Sequence, residues 1–203
     1  MFKKGSKTNL HNYRGITLLN TTLKLFTKVI LSKLLQHIQS REEQQGFQKN
    51  RSTTDANFMV RQIAEKAIVF NHTAYLCFID LTKAFDRVRL ADVAKCFRER
   101  EVPEQTVRVI KELNTDTTAR IQSHNQTSGP IIIKNGIRQG DSLSPMLFNL
   151  IMDKIIENLP KELGYRMGND LIHIICYADD AVLIADSEEN LPYYLDLIRW
   201  SKG

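Results

Sequence analysis

The most informative segment of the chain is Ile-Ile-Cys-Tyr-Ala-Asp-Asp-Ala-Val-Leu-Ile-Ala, at residues 174–185. Two short apolar runs rich in β-branched residues flank an adjacent pair of carboxylates, Asp179 and Asp180. This pattern predicts two strands joined by a tight turn that carries the acidic pair. A solvated hairpin tip is the simplest interpretation, because acidic residues are common in turns. A shared cation is the alternative, since two like charges held together otherwise repel each other.

A third carboxylate ends another apolar segment, residues 74–80, about a hundred residues earlier in the chain. Alternation along this predicted strand puts Asp80 on one face, so Asp80 meets Asp179 and Asp180 if the strand lies beside the hairpin. Three carboxylates at strand ends suit hard, oxygen-preferring cations such as Mg²⁺. Two such ions roughly 3.5–4 Å apart can activate a hydroxyl nucleophile and stabilise the leaving oxygen of a phosphoryl transfer.

A glycine-rich loop occupies residues 135–145. Gly136 and Gly140 permit a close backbone approach to a ligand, or simply a left-handed turn. A loop followed by a helix is ordinary architecture, but a polar loop that carries Arg138 and Gln139 is also suited to the floor of a nucleotide pocket. The residues alone leave both interpretations open.

Five segments, taken together and in this order, resemble the fingers and palm motifs of the reverse transcriptases of non-LTR (LINE-type) retrotransposons. They are YRGITLL (13–19), QGFQKNRSTTD (45–55), FIDLTKAFD (78–86), GIRQGDSLSP (136–145) and YADD (177–180). The resemblance implies an α+β fold of the right-hand polymerase type, with an antiparallel palm sheet and packed helices. It places a fingers region at residues 1–73 and a palm region at 74–203, with some fingers residues returning within the palm.

The resemblance also assigns the metal ligands. It implies that Asp80 and Asp179 are the principal ligands, with Asp180 beside them, and that the cofactor is Mg²⁺, with Mn²⁺ as an alternative. Asp86 competes with Asp80 for this role. A loop or helix cap beside Arg87 is the simpler function for Asp86.

Four further residues match nucleotide-binding positions of the family. Phe85 falls at the aromatic steric gate that excludes a ribose 2′-OH, Gln139 and Gly140 line the pocket of the incoming nucleotide, and Arg14 reaches its triphosphate. Each has a simpler alternative, such as a core aromatic for Phe85 and a solvated loop arginine for Arg14. The implied substrates and partners are dNTP, an RNA template and a DNA primer.

The chain also departs from the family pattern. Gly15 stands where proline is usual, and residues 48–50 replace a more usual Arg/Pro/Gly pattern. The chain stops at Gly203, before the primer grip and the helical thumb that the resemblance implies. We therefore expect that the thumb and endonuclease segments of the same polyprotein are missing, and that the chain expressed as given polymerises poorly.

Composition is compatible with a globular enzyme core. Of the 203 residues, 42% are hydrophobic and 25% charged, which is ordinary for a folded domain. The net charge of +5 mildly favours a polyanionic partner. No apolar run reaches the roughly 18 residues of a membrane span, which predicts an intracellular protein without a membrane partner, in either nucleus or cytoplasm.

Hydrophobic spacing predicts the remaining organisation. Helices are expected over residues 16–39, 54–70, 90–100, 103–113 and 191–200, and strands over 117–122 and 131–134. A further helix is expected to start at Pro145, with Ser144 as its N-cap.

Two other function classes remain open beside a reverse transcriptase. One is an RNA-dependent RNA polymerase, against which Phe85 and Ala178 argue, since viral RNA polymerases usually have glycine before the aspartate pair. The other is a catalytically incompetent retroelement remnant that at most binds nucleic acid.

Overall fold

The computed structural model describes residues 5–9, 12–13, 16–123, 126–133 and 135–200. The helices are α1 Thr21–Leu34, α2 Thr53–Val69, α3 Ala84–Arg87, α4 Leu90–Glu99, α5 Glu104–Asn114, α6 Ser144–Glu157 and α7 Asn190–Trp200. The strands are β1 Tyr75–Asp80, β2 Thr117–Ala119, β3 Gln122–Ser123, β4 Gln126–Thr127, β5 Ile131–Ile133, β6 Tyr165–Met167, β7 Asp170–Ile172, β8 Ile174–Tyr177 and β9 Asp180–Ala185. Within the described ranges the pairs between these strands are antiparallel, in agreement with the predicted antiparallel sheet.

The chain forms two compact units, and each is assembled from two separate stretches of sequence. The first unit comprises Met1–Ile38 and Phe85–Leu147, and contains α1, α4, α5 and β2–β5. The second comprises Gln39–Ala84 and Phe148–Gly203, and contains α2, α7, β1 and β6–β9.

The second unit is built on a three-stranded antiparallel sheet in the order β1-β9-β8. Helix α2 packs against one face of this sheet, where Ile63 meets Val182 and Ile184 in an apolar cluster. The start of α2 is fixed by a capping box, in which Ser52 and Asp55 each satisfy the backbone N–H of the other. The observed helix starts at Thr53, one residue before the start predicted at residue 54.

The first unit contains a pair of packed helices, α4 and α5. Phe97 and Ile110 are their largest fully buried side chains. The connection is short, and the Val102 N–H donates to the Phe97 carbonyl at 3.0 Å. The two strands predicted after α5 are also present, as the β2–β5 pair extended by β3 and β4.

The extent predicted for the first helix is wrong. Apolar spacing predicts a helix over residues 16–39, whereas α1 covers Thr21–Leu34. The Asn20 side chain accepts a hydrogen bond from the Leu23 N–H at 2.7 Å and so caps the helix there. The periodicity continues past the helix end because Ile38, although outside α1, is also buried.

Two local features also differ from the sequence predictions. Ser144 is the first residue of α6 rather than its N-cap, and the Leu143 carbonyl accepts the first helical hydrogen bond, from the Leu147 N–H at 3.1 Å. The β6–β7 hairpin was not predicted. The Gly168-Asn169 dipeptide at its turn, with Gly168 at φ 65°, is a hairpin signal that could have revealed it.

None of the helices in the described parts of the chain is both long enough and apolar enough to cross a lipid bilayer.

Candidate active site

The three acidic candidates Asp80, Asp179 and Asp180 lie together at one end of the β1-β9-β8 sheet. Asp80 is the last residue of β1 and pairs directly with Asp180, the first residue of β9. Asp180 also pairs with Tyr177, the last residue of β8. Because directly opposed residues in an antiparallel pair share a face, the side chains of Asp80 and Asp180 project from the same side of the sheet.

Asp179 lies in the two-residue turn between β8 and β9, after Ala178. Ala178 has φ 57°, in the left-handed region, which costs about 1–2 kcal/mol for a residue other than glycine. A positive φ at only the first of the two turn residues is the pattern of a type II′ hairpin turn, where glycine is the usual residue. The Asp179 carbonyl accepts a hydrogen bond from the Leu81 N–H at 3.4 Å, which links the turn to the end of β1.

The carboxylates repel one another. Burial raises the pKa of Asp180 above its ordinary value, and the negative charges of Asp179 and Asp80 raise it further. The proximity of three acidic groups is therefore an electrostatic cost in the absence of a cation.

The donor set suits a hard divalent cation, because three carboxylates supply only oxygen ligands. Within the described ranges, no three acidic, histidine or cysteine side chains are already gathered into a cage that could hold an ion. The strand register brings the carboxylates to the same edge, and their mutual repulsion is what a bound cation would relieve.

The Ala178–Asp179 turn, called the aspartate turn below, is supported by residues to which the sequence analysis assigned no role. The buried side chain of Gln44 hydrogen-bonds both backbone polar groups of Ala178. Gly46 lies so close to the turn that an added Cβ would overlap the Ala178 nitrogen and come within 2.8 Å of its Cα. Asn149, on α6, donates to the Gly46 carbonyl at 2.9 Å. No sequence motif signals these contacts, because more than a hundred residues separate the partners.

In the first unit, Phe85 lies beside the glycine-rich loop. The Phe85 carbonyl accepts from the Ile137 N–H at 2.9 Å, and the Val88 carbonyl accepts from the Gly136 N–H at 3.0 Å. Gly136, at φ 95°, passes so close to Asp86 that a Cβ would approach its Cα to 2.8 Å. Phe85 is half-buried.

Gln139 and Gly140 lie against the extended segment before α1. The Gln139 carbonyl accepts from the Thr17 N–H at 2.9 Å. Gly140 has φ 109°, and a Cβ there would lie 2.8 Å from the Thr17 carbonyl oxygen. Phe85, Gln139 and Gly140 are thus brought to one loop cluster of the first unit. Arg14, the fourth predicted nucleotide-binding residue, lies outside the described residues.

Asp86 belongs to the short helix α3 and is exposed. Its role as a loop or helix cap beside Arg87 stays a prediction.

Comparison with known proteins gives a family match over almost the whole chain. Residues 2–200 match the family model described as "Reverse transcriptase (RNA-dependent DNA polymerase)". This description favours an RNA-dependent DNA polymerase over the RNA-dependent RNA polymerase considered as an alternative.

Curated relatives are retroelement proteins. The chain is 26% identical over 185 residues to the Retrovirus-related Pol polyprotein from type-2 retrotransposable element R2DM of Drosophila melanogaster, covering 91% of this chain and 18% of the relative. It is also 26% identical over 210 residues to the RNA-directed DNA polymerase from mobile element jockey of the same organism, covering 97% of this chain and 22% of the relative. The chain thus spans about a fifth of the length of these relatives.

Solved structures with a similar fold include telomerases. The apo telomerase of Candida tropicalis, truncated from its C-terminal domain, matches with a TM-score of 0.59 and 14% identity over 88% of this chain and 36% of that one. The telomerase of Candida albicans, in complex with a TWJ fragment of telomeric RNA, matches with a TM-score of 0.60 and 13% identity over 89% and 32%. The family match and the retroelement relatives lead to one conclusion: the chain belongs to the reverse transcriptase (RNA-dependent DNA polymerase) family, as a reverse transcriptase domain of the non-LTR retrotransposon type.

Proposed function

We propose that this domain transfers a deoxynucleotide from dNTP to the 3′-OH of a DNA primer, with RNA as the template, as part of retrotransposition. The observation that carries the proposal is the direct pairing of Asp80 with Asp180 beside the Asp179 turn. Burial raises the pKa of Asp180, and the negative charges of Asp179 and Asp80 raise it further, so the three carboxylates repel one another. A bound cation would supply positive charge that offsets this repulsion.

Reverse transcriptases generally use divalent metal ions. We propose Mg²⁺, which Mn²⁺ can replace, held by Asp80 and Asp179 with Asp180 beside them. The bound ions supply charge neutralisation and activation of the primer hydroxyl. The protein contributes the strand register that keeps Asp80 next to the turn, and the backbone contacts that fix the turn itself.

The nucleotide contacts are proposed for the first unit. A half-buried ring at Phe85 can block the space that a ribose 2′-OH needs and so select dNTP. Gln139 and Gly140 are proposed to line the pocket of the incoming nucleotide, because they belong to the same loop cluster as Phe85 and match the family's nucleotide-binding positions. Arg14 is proposed to contact the triphosphate, because guanidinium groups pair well with phosphate oxygens.

The wider context follows from the relatives. They are polyproteins several times longer than this chain, so we propose that thumb and endonuclease segments act with it on the same template and primer. We propose that residues 1–73 serve as the fingers region and 74–203 as the palm region, and that the protein acts inside the cell. The net charge of +5 supports a nucleic-acid partner but is too small to identify one.

Primer extension tests the proposal. The 203-residue chain, and the same residues within a longer polypeptide of the length of its relatives, are given an RNA template, a DNA primer, dNTP and Mg²⁺. We expect synthesis by the longer polypeptide, little by the chain alone, and none by either after chelation of the metal. An RNA-templated activity that persists without divalent ions would contradict the metal assignment. A longer polypeptide that binds template and primer but never extends the primer would identify a catalytically incompetent remnant instead.

A further inference from the structure

Gln44 is a polar residue whose side chain is fully buried, with a relative exposure of 0%. Its Oε1 accepts from the Ala178 N–H at 3.0 Å and from the Gly46 N–H at 2.8 Å. Its Nε2 donates to the Ala178 carbonyl at 3.3 Å. The carboxamide orientation is thereby determined, since a flipped amide would point its NH₂ group at two N–H donors.

The Gln44 side chain bonds the backbone of Ala178, which is both buried and in an unfavourable conformation. Ala178 is 8% exposed and has φ 57°, a backbone conformation that few residues other than glycine adopt. It lies in the turn, between the last residue of β8 and the first of β9, and takes no part in the strand ladder. Buried backbone N–H and C=O groups require partners, and the Gln44 amide serves both.

Gln44 is itself fixed to the sheet. The backbone of residues 43–45 runs parallel to β8, with the Cys176 N–H donating to the Glu43 carbonyl at 2.8 Å and the Gln45 N–H donating to the Cys176 carbonyl at 2.7 Å. The Gln44 side chain therefore starts from a backbone that is hydrogen-bonded to the same strand that enters the turn. Little freedom remains for the amide to move relative to Ala178.

We propose that Gln44 is a positioning residue that sets the Ala178–Asp179 turn and, through it, the directions of the Asp179 and Asp180 side chains. A carboxamide suits this task because it donates and accepts hydrogen bonds at once. A carboxylate of the same shape would present an oxygen to the Ala178 carbonyl, and a thioether would bond neither group. The consequence for catalysis rests on the proposed polymerase function, whereas the control of the turn does not.

The test compares Gln44→Met and Gln44→Glu with Gln45→Met. Gln45 is the matched control because it is adjacent and also buried, but its amide bonds Glu42 and Arg51 rather than the turn. Amide hydrogen exchange in the 203-residue chain is measured first, since it needs no activity. We expect the Ala178 amide to exchange at least about tenfold faster in Gln44→Met, which removes the acceptor, and to stay near wild type in Gln45→Met. Gln44→Glu should have a smaller effect on this amide, because its carboxylate still accepts from the Ala178 N–H while it repels the Ala178 carbonyl.

Binding of Mn²⁺, followed by its paramagnetic resonance signal, and primer extension in the longer polypeptide provide the second readout. We expect weaker Mn²⁺ binding and a kcat lower by about 10- to 100-fold in the Gln44 variants, because small displacements of reacting groups are that costly. We expect KM for dNTP to change by less than about twofold, because the nucleotide contacts are elsewhere.

Three results would overturn the positioning role. They are an unchanged Ala178 amide in folded Gln44→Met, equal losses in the Gln44 and Gln45 variants, or a rise in KM in place of a fall in kcat. If the Gln44 variants do not fold, the same measurement on the wild-type chain provides the test. Its Gln44 side-chain NH₂ must exchange slowly and show a nuclear Overhauser contact to the Ala178 backbone. An inactive wild-type polypeptide with a protected Ala178 amide would contradict the proposed function while leaving the role of Gln44 in the turn intact.

Discussion

Asp80 and Asp180 face each other across β1 and β9 as direct register partners. Opposed residues of an antiparallel pair have Cα atoms only about 4.5–5.5 Å apart, so the two negatively charged side chains lie close together and repel each other. Like charges directly opposite normally destabilise a sheet. The pair therefore indicates that the two carboxylates at this end of the sheet serve a function and do not stabilise the fold.

In the longer polypeptide, Asp80→Asn and Asp179→Asn should each reduce metal-dependent primer extension to background while the fold is retained. Each change removes a negatively charged ligand without altering side-chain size, and so removes both nucleophile activation and leaving-group stabilisation. Circular dichroism checks the fold and single-turnover extension checks the chemistry. The matched control is Asp86→Asn, an exposed carboxylate on α3 that should retain activity. Near-normal extension by Asp80→Asn would remove Asp80 from the site.

Asp180→Asn should make the metal-free protein slightly more stable at neutral pH. Because the pKa of Asp180 is raised by burial and by Asp179 and Asp80, the folded state binds its proton more tightly than the unfolded state. The free energy of unfolding therefore falls as the pH rises above the ordinary value of 3.8 and through the raised pKa. The carboxyl group is mostly exposed, so the effect should stay within the roughly 0–1 kcal/mol of screened surface charges.

Thermal denaturation at pH 4 and pH 7 tests this prediction. The wild-type protein should lose more stability between the two than Asp180→Asn, and Mg²⁺ should raise the wild-type Tm more than that of the variant. A variant that is less stable than wild type at pH 7 without metal would show that the carboxylate is not repelled in the folded state.

Phe85→Val should raise ribonucleotide incorporation relative to deoxynucleotide, because a smaller side chain opens space for a 2′-OH. We expect a change in the ratio of kcat/KM values of at least about tenfold, or more than about 1.4 kcal/mol of discrimination. Single-nucleotide kinetics with matched dNTP and NTP measure it. Phe58→Val is the control, since Phe58 is an exposed phenylalanine on α2. Unchanged discrimination would make Phe85 an ordinary packing residue.

Gly46→Ala should destabilise the second unit and reduce extension. Its Cβ would overlap the Ala178 backbone, so either the loop or the aspartate turn must move, at a cost of about 1–3 kcal/mol for such overpacking. Chemical denaturation measures the loss. Gly129→Ala is the control because an added Cβ there meets nothing within 4 Å and its φ is not in the left-handed range. Equal stability of the two variants would contradict the close approach.

Several elements could be predicted from local sequence. Strand β1 and the β8–β9 hairpin follow from alternating and β-branched runs, and α2 follows from its capping box at Ser52. The boundaries predicted for α1 were wrong because Ile38, a buried residue outside the helix, continues the helical spacing of apolar residues. The aspartates were suggested as candidates by their position at strand ends, and the motif order suggested the family.

The set of elements and the chemistry available to them follow from the sequence, because periodicity, caps and turn residues act over a few positions. The pairing of Asp80 with Asp180, and the hydrogen bond from Gln44 to Ala178 across 134 residues of chain, are seen only in the folded structure. The need of a buried backbone group for a partner says nothing about which distant side chain will meet it. That choice depends on the packing of strands and loops in three dimensions. In this fold the packing brings the side chain of Gln44 to the backbone of Ala178.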